Sequence, residues 1–343
     1  MPFGTAPAGW WMPWTRAVRS LKISSESWPL AKPLNISRGS RHSAEVVLVE
    51  ISDGPMTGRG ECMPYAHYGE TVSGVIAAIE VLRGVIADGL DRAALQAAMP
   101  AGAARNAVDC ALWDLEAKQT GRAVWQLAGL AEPGTVVTAY TLGVDTPEIM
   151  AAAAKENAWR PLIKLKLTGE GDIARVEAVR DAAPDTKLIV DANEGWSPGM
   201  VEPFSIELAR LNVVMIEQPL PASAEAMLAD CAHPIPICAD ESCHTRAGID
   251  GLARCYDMIN IKLDKTGGLT EALALRDAAR ARGLSVMIGC MVATSLAMAP
   301  ALLVAQGAEI VDLDGPLLLA DDRPNGLRYD GSTVSPADPA LWG

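Results

Sequence analysis

Five charged residues punctuate the middle of the chain at a near-constant interval. They are Lys166, Asp191, Glu217, Asp240 and Lys262, and each closes a short apolar run. The steps between them are 25, 26, 23 and 22 residues, each the length of one strand-plus-helix unit. Asp312 closes another run 50 residues beyond Lys262, two units on. If the runs are strands of one parallel sheet, these side chains gather at one end of it. Three carboxylates converging there are costly to bury without a cation to neutralise them. An all-oxygen set with no His or Cys in it favours Mg²⁺ over zinc or copper. Lys164 and Lys166 are two apart on a strand and so share a face. Each disfavours charge on the other, and desolvation and a nearby cation act in the same direction, so the sequence predicts lysines of lowered pKa that can act as general bases. Lys262 closes a strand across the ring and would face Lys166 over one substrate carbon. Two bases on opposite faces suit removal of a proton from one side and its return on the other, and the product is the epimer. Taken singly, each group has a plainer role: a surface pair for Lys164 and Lys166, helix caps for Asp191 and Asp240, a structural ion pair for Glu217. Their coincidence at successive strand ends is what favours a site.

The elements needed to hold these residues are legible. Eight apolar runs, 136–142, 162–167, 187–190, 213–216, 235–239, 258–261, 285–288 and 310–313, alternate with amphipathic helical stretches. Alternation of this kind implies parallel pairing through right-handed crossovers, and eight units match an α/β fold of the (β/α)8 barrel type, with its reacting groups at the C-terminal strand ends. Before the barrel, residues 21–130 read as an α+β capping domain: extended segments with 44–51 the clearest strand, a turn at Asp53-Gly54, then helices over 71–89, 91–99 and 103–120. The barrel is expected over 131–320, and the tail 321–343, with a strand-like piece at 327–329, is expected to return to the capping domain and complete it. Residues 1–20, with Trp10, Trp11 and Trp14, lack a basic start and an apolar core, so they read as an extension and not as a signal peptide.

Composition narrows the function. The chain has 343 residues, 50% hydrophobic and 21% charged, which excludes intrinsic disorder. Lys plus Arg is 29 against 42 for Asp plus Glu, a net charge of −13, the wrong sign for nucleic acid or an anionic membrane. No apolar stretch approaches the roughly 20 residues a bilayer span needs. Seven cysteines, odd in number and without a C-x-x-C pair, read as reduced thiols of a cytoplasmic protein.

The motifs K-L-K (164–166), D-A-N-E-G-W (191–196), E-Q-P (217–219), A-D-E-S (239–242) and N-I-K-L-D-K-T-G-G (260–268) together resemble the muconate-lactonizing subgroup of the enolase superfamily. Five motifs in the right order make the resemblance specific. Within that subgroup S-R-G-S-R (37–41), G-E-C-M-P-Y (60–65), A-G-A-A-R-N-A (101–107), A-D-E-S-C-H-T (239–245), G-C-M (289–291) and D-L-D-G-P (312–316) look most like the dipeptide epimerases acting on L-Ala-D/L-Glu in murein recycling. The resemblance implies a Mg²⁺-dependent isomerase, with Asp191, Glu217 and Asp240 as metal ligands and Lys166 and Lys262 as the acid/base pair. Lys265 is the rival to Lys262, which is preferred because it directly closes its strand. It also implies a substrate-binding set of Arg41, Thr141, Lys164, Asn193, Cys290, Met291, Asp312 and Asp314. Asp312 and Asp314, i and i+2 on the eighth strand, would hold a dipeptide's free ammonium. The segment 38–41 would close over the site, with Arg41 pairing the glutamate side chain. Competing readings are N-acylamino acid racemization or o-succinylbenzoate synthesis in the same superfamily, a Schiff-base aldolase, and a non-catalytic binding barrel. The partner is a small molecule, with self-association left open.

Overall fold

Period-two burial builds the first layer. The strands β1 (Ser20–Ile36) and β2 (Gly39–Asp53) pair antiparallel, and β3 (Met56–Cys62) pairs with β2 across a turn in which Gly54 has φ 58°. Along β2 alternate residues serve two cores: Ala44, Val46 and Leu48 face the barrel, while Val47, Val49 and Ile51 face the helices that follow. Burial on both faces explains the unbroken apolar run Val46–Val49 within it. The long helix Ala103–Thr120 lies directly on β3 because Gly58 and Gly60 carry no side chain. A Cβ at either would come within 2.1 Å of a helix carbonyl, Ala111 O or Ala107 O. The computed structural model describes residues 18–36 and 39–343. Residues 1–17, with the three tryptophans, and Arg38 of the closing segment lie outside the described residues.

Two of the expected elements are subdivided. The stretch 71–89 forms two helices, Val72–Glu80 and Arg83–Ala87, because Leu82 N–H turns back to Ile79 O and tightens the chain between them. The first apolar run of the barrel also splits. Its opening residues form β4 (Val136–Val137) in a small antiparallel sheet with β13 (Tyr329–Asp330) and β14 (Thr333–Val334) of the tail. At Thr138 and Ala139 the chain changes partner: Thr138 N–H still donates to Ser332 O, whereas Ala139 N–H donates to Val311 O of the barrel.

The eight barrel strands are β5 (Tyr140–Leu142), β6 (Leu162–Lys166), β7 (Lys187–Asp191), β8 (Val213–Glu217), β9 (Ile237–Ala239), β10 (Met258–Ile261), β11 (Ser285–Gly289) and β12 (Ile310–Asp312), parallel and in sequential order. The bond from Ala139 to Val311, 2.8 Å, brings the two ends of the sheet together. Helices follow the first seven strands, two of these connections, after β8 and β9, being wholly or partly 3-10. After β12 there is only the short helix Gly315–Leu318. The tail ends against the long helix of the first layer, where Trp342 Nε1 donates to Cys110 O and Gly343 N to Asp114 Oδ1.

The barrel interior is layered. Its floor is a separate apolar cluster of Ala139, Leu162, Ile189, Met215, Cys238, Met258, Met287 and Ile310, one residue for each of the eight strands. Side chains two residues on point to the same side of a strand. The next layer is therefore Thr141, Lys164, Asp191, Glu217, Asp240, Asn260, Gly289 and Asp312, and it is almost entirely polar.

Candidate active site

The polar layer is the site. Asp191 and Glu217 end β7 and β8 and Asp240 directly follows β9; all three are fully or almost fully buried and can each place one carboxylate oxygen within 4.8 Å of the others. Lys164, 1% exposed, reaches into this group from β6, with Nζ 2.7 Å from Glu217 Oε2, 2.9 Å from Asp312 Oδ2 and 3.2 Å from Asp191 Oδ2. One layer higher, Lys166 Nζ donates to Asp191 Oδ2 at 2.6 Å and Lys262 Nζ to Asp240 Oδ2 at 2.7 Å. The strands β6 and β10 are four apart in a ring of eight. Lys166, which ends β6, and Lys262, which directly follows β10, thus approach from opposite sides of the barrel, with the carboxylates along the arc between them. Lys265 belongs elsewhere: it does not line the cavity, and its ammonium is consumed by Asp240 Oδ1, Asp240 O and Asn260 O.

The loops above the strands are shaped to aim these groups. After β7 the chain turns sharply through Asn193 (φ 46°) and Glu194 (φ 65°), which returns Asn193 N–H to Asp191 Oδ1 at 2.9 Å. Gln218, at φ 36°, accepts from Asp240 N at 2.8 Å and donates to Leu220 O, Ser242 Oγ and Tyr256 OH, locking the end of β8 to the start of the β9 loop. Left-handed non-glycine backbone of this kind is tolerated where the surroundings over-determine it, and it clusters at functional sites.

All the sequence-derived substrate residues, Arg41, Thr141, Lys164, Asn193, Cys290, Met291, Asp312 and Asp314, line one cavity at this mouth. So do Tyr65, the last residue of the 60–65 motif, and Leu34 and Tyr68, which sequence reading missed because they come from the first layer and bear no fixed spacing to the barrel. The Arg41 guanidinium lies 4.9 Å from the centre of the Tyr65 ring. The end of β1 is fastened over the cavity by Val144 N–H, which donates to Asn35 O at 3.0 Å, and by the lack of a side chain at Gly143. A Cβ there would stand 2.9 Å from Asn35 O.

Two expectations need correction. Asp314 is not on the eighth strand, which ends at Asp312; it occupies the N-cap position of Gly315–Leu318. Its side chain does not cap that helix but accepts from Thr141 N–H at 2.7 Å, so it still faces the cavity. The Lys164 pKa moves upward, not downward, and so does that of Lys262. Burial opposes the ammonium form of Lys164 and Lys262, but the carboxylates outweigh it, chiefly Asp312 and Glu217 for Lys164 and Asp240 for Lys262, and hold both well above the usual lysine range. The carboxylates respond unequally. Asp191 is buried yet held down at about 2 by Lys166 and Lys164, whereas burial and Asp191 push Glu217 up to about 7. Burial and the neighbouring Asp312 likewise raise Asp314 to about 7.

The donor set fits a hard divalent cation. It is all carboxylate oxygen, and Glu217 Oε2, fully buried, lies in ion-pair range of Lys164 but has no hydrogen-bond partner. A second buried oxygen without a partner, Asp312 Oδ1, belongs to a residue of the opposite cavity wall.

A barrel with this carboxylate arc and opposed lysines defines a family. Residues 18–129 match the mandelate racemase / muconate lactonizing enzyme N-terminal domain and residues 148–337 the enolase C-terminal domain-like family, and the chain belongs to this family. It is 48% identical to the L-Ala-D/L-Glu epimerase of Escherichia coli (strain K12) over 314 residues, 91% of this chain and 98% of that one. It is 45% identical over 303 residues, 87% of this chain and 95% of the other, to an N-acetyl-D-glutamate racemase of Pseudoalteromonas sp. Among solved structures it resembles an enolase family member from Agrobacterium tumefaciens, with homology to dipeptide epimerases, holding sodium and L-Ala-L-Glu. That match has a TM-score of 0.93 and 53% identity, and it covers 95% of this chain and all of the other.

Proposed function

We propose that the protein is a dipeptide epimerase that interconverts L-Ala-D-Glu and L-Ala-L-Glu by moving the α-proton of the second residue. The observation that carries this reading is Asp312 Oδ1, a buried carboxylate oxygen with no partner, on the far side of the cavity from the carboxylate arc. An ammonium is the group that would satisfy it, and a dipeptide has one at the right end. Asp191, Glu217 and Asp240 would hold Mg²⁺, which when bound supplies positive charge to the substrate carboxylate and makes the adjacent α-proton removable. Lys166 would take or give the proton on one face and Lys262 on the other. Lys164 would neutralise charge at the floor of the site, and Arg41, against Tyr65, would meet the glutamate side chain. Thr141 would position Asp314 beside Asp312, while Asn193, Cys290 and Met291 would complete the wall. Residues 21–130 would serve as the capping domain, closed from below by the tail.

Two further features support the biological setting. All seven cysteines are free, as a cytoplasmic protein requires. Among the described residues no helix is long and apolar enough to cross a membrane. A D-glutamyl dipeptide is a murein fragment, so the setting is recycling of cell-wall peptides in the cytoplasm.

The N-acetyl-D-glutamate racemase relative supports a second reading, in which the acyl group replaces the alanyl residue and no ammonium is bound. The same glutamate would sit between the same lysines. Deuterium exchange at the α-carbon, followed by NMR in D₂O with Mg²⁺, separates the two. Faster exchange of L-Ala-L-Glu upholds the dipeptide assignment, and faster exchange of N-acetyl-D-glutamate overturns it.

A further inference from the structure

The two oxygens of each site carboxylate are treated differently. On Asp191, Oδ1 accepts from Asn193 N–H at 2.9 Å, while Oδ2 faces Lys164 and Lys166. On Glu217, Oε1 accepts from Asn260 Nδ2 at 2.8 Å, while Oε2 faces Lys164. On Asp240, Oδ1 accepts from Lys265 Nζ at 2.6 Å, while Oδ2 faces Lys262. In every case one oxygen is tied back and only the other faces Lys164, Lys166 or Lys262. A backbone amide, a side-chain amide and an ammonium achieve the same end, so the pattern is not an accident of one motif.

The tying groups are themselves fixed. Asn260 is fully buried in the polar layer of the barrel, and its backbone oxygen accepts from Lys265 Nζ at 3.0 Å. Gly289 on the next strand makes room for its amide: a Cβ there would lie 2.6 Å from Asn260 Oδ1. The Lys265 side chain is 0% exposed, and its contacts to Asp240 Oδ1, Asp240 O and Asn260 O account for all three of its N–H bonds. It has nothing left to offer a substrate.

The consequence concerns which cation the site accepts. Ca²⁺ takes six to eight oxygens and commonly uses carboxylates through both oxygens, whereas Mg²⁺ requires a strict octahedron of single oxygens and keeps some of its water. Carboxylates that can each give one oxygen meet the second demand and not the first. We propose that Asn260 and Lys265 are positioning residues that hold back one oxygen each of Glu217 and Asp240, leave a single oxygen of each turned towards Lys164 or Lys262, and thereby select a small octahedral divalent cation against Ca²⁺. This rests on the reading that the three carboxylates hold a cation, but not on the identity of the substrate.

The test is calorimetric titration of the metal-free full chain with MgCl₂ and with CaCl₂, without substrate, for the wild type, Asn260→Leu and Lys265→Met. Removing the Lys265 charge strengthens attraction for both ions, so the readout is the ratio of the two dissociation constants. We expect the wild type to prefer Mg²⁺, and the ratio to move towards Ca²⁺ by about tenfold or more in each folded variant, because only the larger ion can use the released oxygen. The variants act on different carboxylates, so one that fails to fold, judged by circular dichroism, leaves the other to decide. A wild-type ratio in a folded variant overturns the inference and leaves the proposed function standing. A wild type that binds neither ion overturns both the inference and the metal reading.

Discussion

The fastening of β1 over the cavity can be tested at a single carbon. Gly143 does not have a positive φ, so alanine is compatible with its backbone, and the only new atom is a Cβ. That atom would stand 2.9 Å from Asn35 O, 3.2 Å from Asn35 N and 3.5 Å from Leu34 Cδ1. Ordinary contacts of carbon begin near 3.5 Å, so the end of β1 must withdraw by about 0.5 Å. Overpacking of this kind costs about 1 to 3 kcal/mol. Withdrawal also weakens the 3.0 Å bond from Val144 N–H to Asn35 O, for which about 1 kcal/mol is usual. Most of this strain is relieved by letting the strand end lift, which removes Leu34 from the cavity wall. A penalty of about 2 kcal/mol on the closed state corresponds to roughly 30-fold. We expect Gly143→Ala to raise KM for L-Ala-L-Glu by about that factor, with kcat and the melting temperature changed far less, in a proton-exchange assay in D₂O. Kinetics within twofold of wild type would show that β1 does not need to be seated for catalysis.

Further outcomes follow from the site. Asp191→Asn or Glu217→Gln should abolish exchange with the fold intact by circular dichroism, and excess chelator should silence the wild type until Mg²⁺ is restored. Lys166→Ala and Lys262→Ala should each abolish epimerization while leaving exchange of one epimer, a different one for each; two variants that epimerize normally would end the two-base scheme. Asp312→Asn should cut kcat/KM for L-Ala-L-Glu by about 3 kcal/mol, roughly 150-fold, and should leave N-acetyl-D-glutamate little affected; equal loss on both substrates would mean that Asp312 does not read the ammonium. Asp109 is raised by burial to about 6, against its hydrogen bonds from Thr270. A carboxyl raised on folding contributes most below its unfolded pKa near 4, and that contribution is lost as pH rises to about 6. Between pH 4 and 6 the stability difference between Asp109→Asn and wild type should therefore shift by about 2 to 3 kcal/mol in favour of the variant, then level off, as read by urea denaturation.

What could be read from sequence was set by regularity. Lys166, Asp191, Glu217, Asp240, Lys262 and Asp312 each end or follow a strand, and the strands recur at one unit length, so linear spacing encoded a ring. Asn260 and Gly289 were equally accessible through the two-residue step from the barrel floor, but Asn260 carries no charge to draw notice and Gly289 acts by what it lacks. Gln218 stood within a quoted motif, yet its work depends on Ser242 and Tyr256, which only the folded chain brings near. Leu34 and Tyr68 arrive from another layer altogether. The lysine pKa error has one cause: the spacing placed Lys164 beside Lys166, but not that Asp312, Glu217 and Asp191 would all face Lys164. The break in the first apolar run was hidden because Val136 and Tyr140 are both good strand formers, and only the tail's arrival at Val136 and Val137 separates them.

The tail's position sets a timetable for the newborn chain. Trp342 and Gly343 cover Cys110 and Asp114 on the long helix, contacts that span 232 and 229 residues, and Arg59 reaches the carbonyls of Ala340 and Leu341. At a translation rate of about 5 to 20 residues per second, the helix waits roughly 10 to 50 s for its last neighbours. During that interval the Cys110 carbonyl and the buried Asp114 carboxylate lack the donors that only the tail brings.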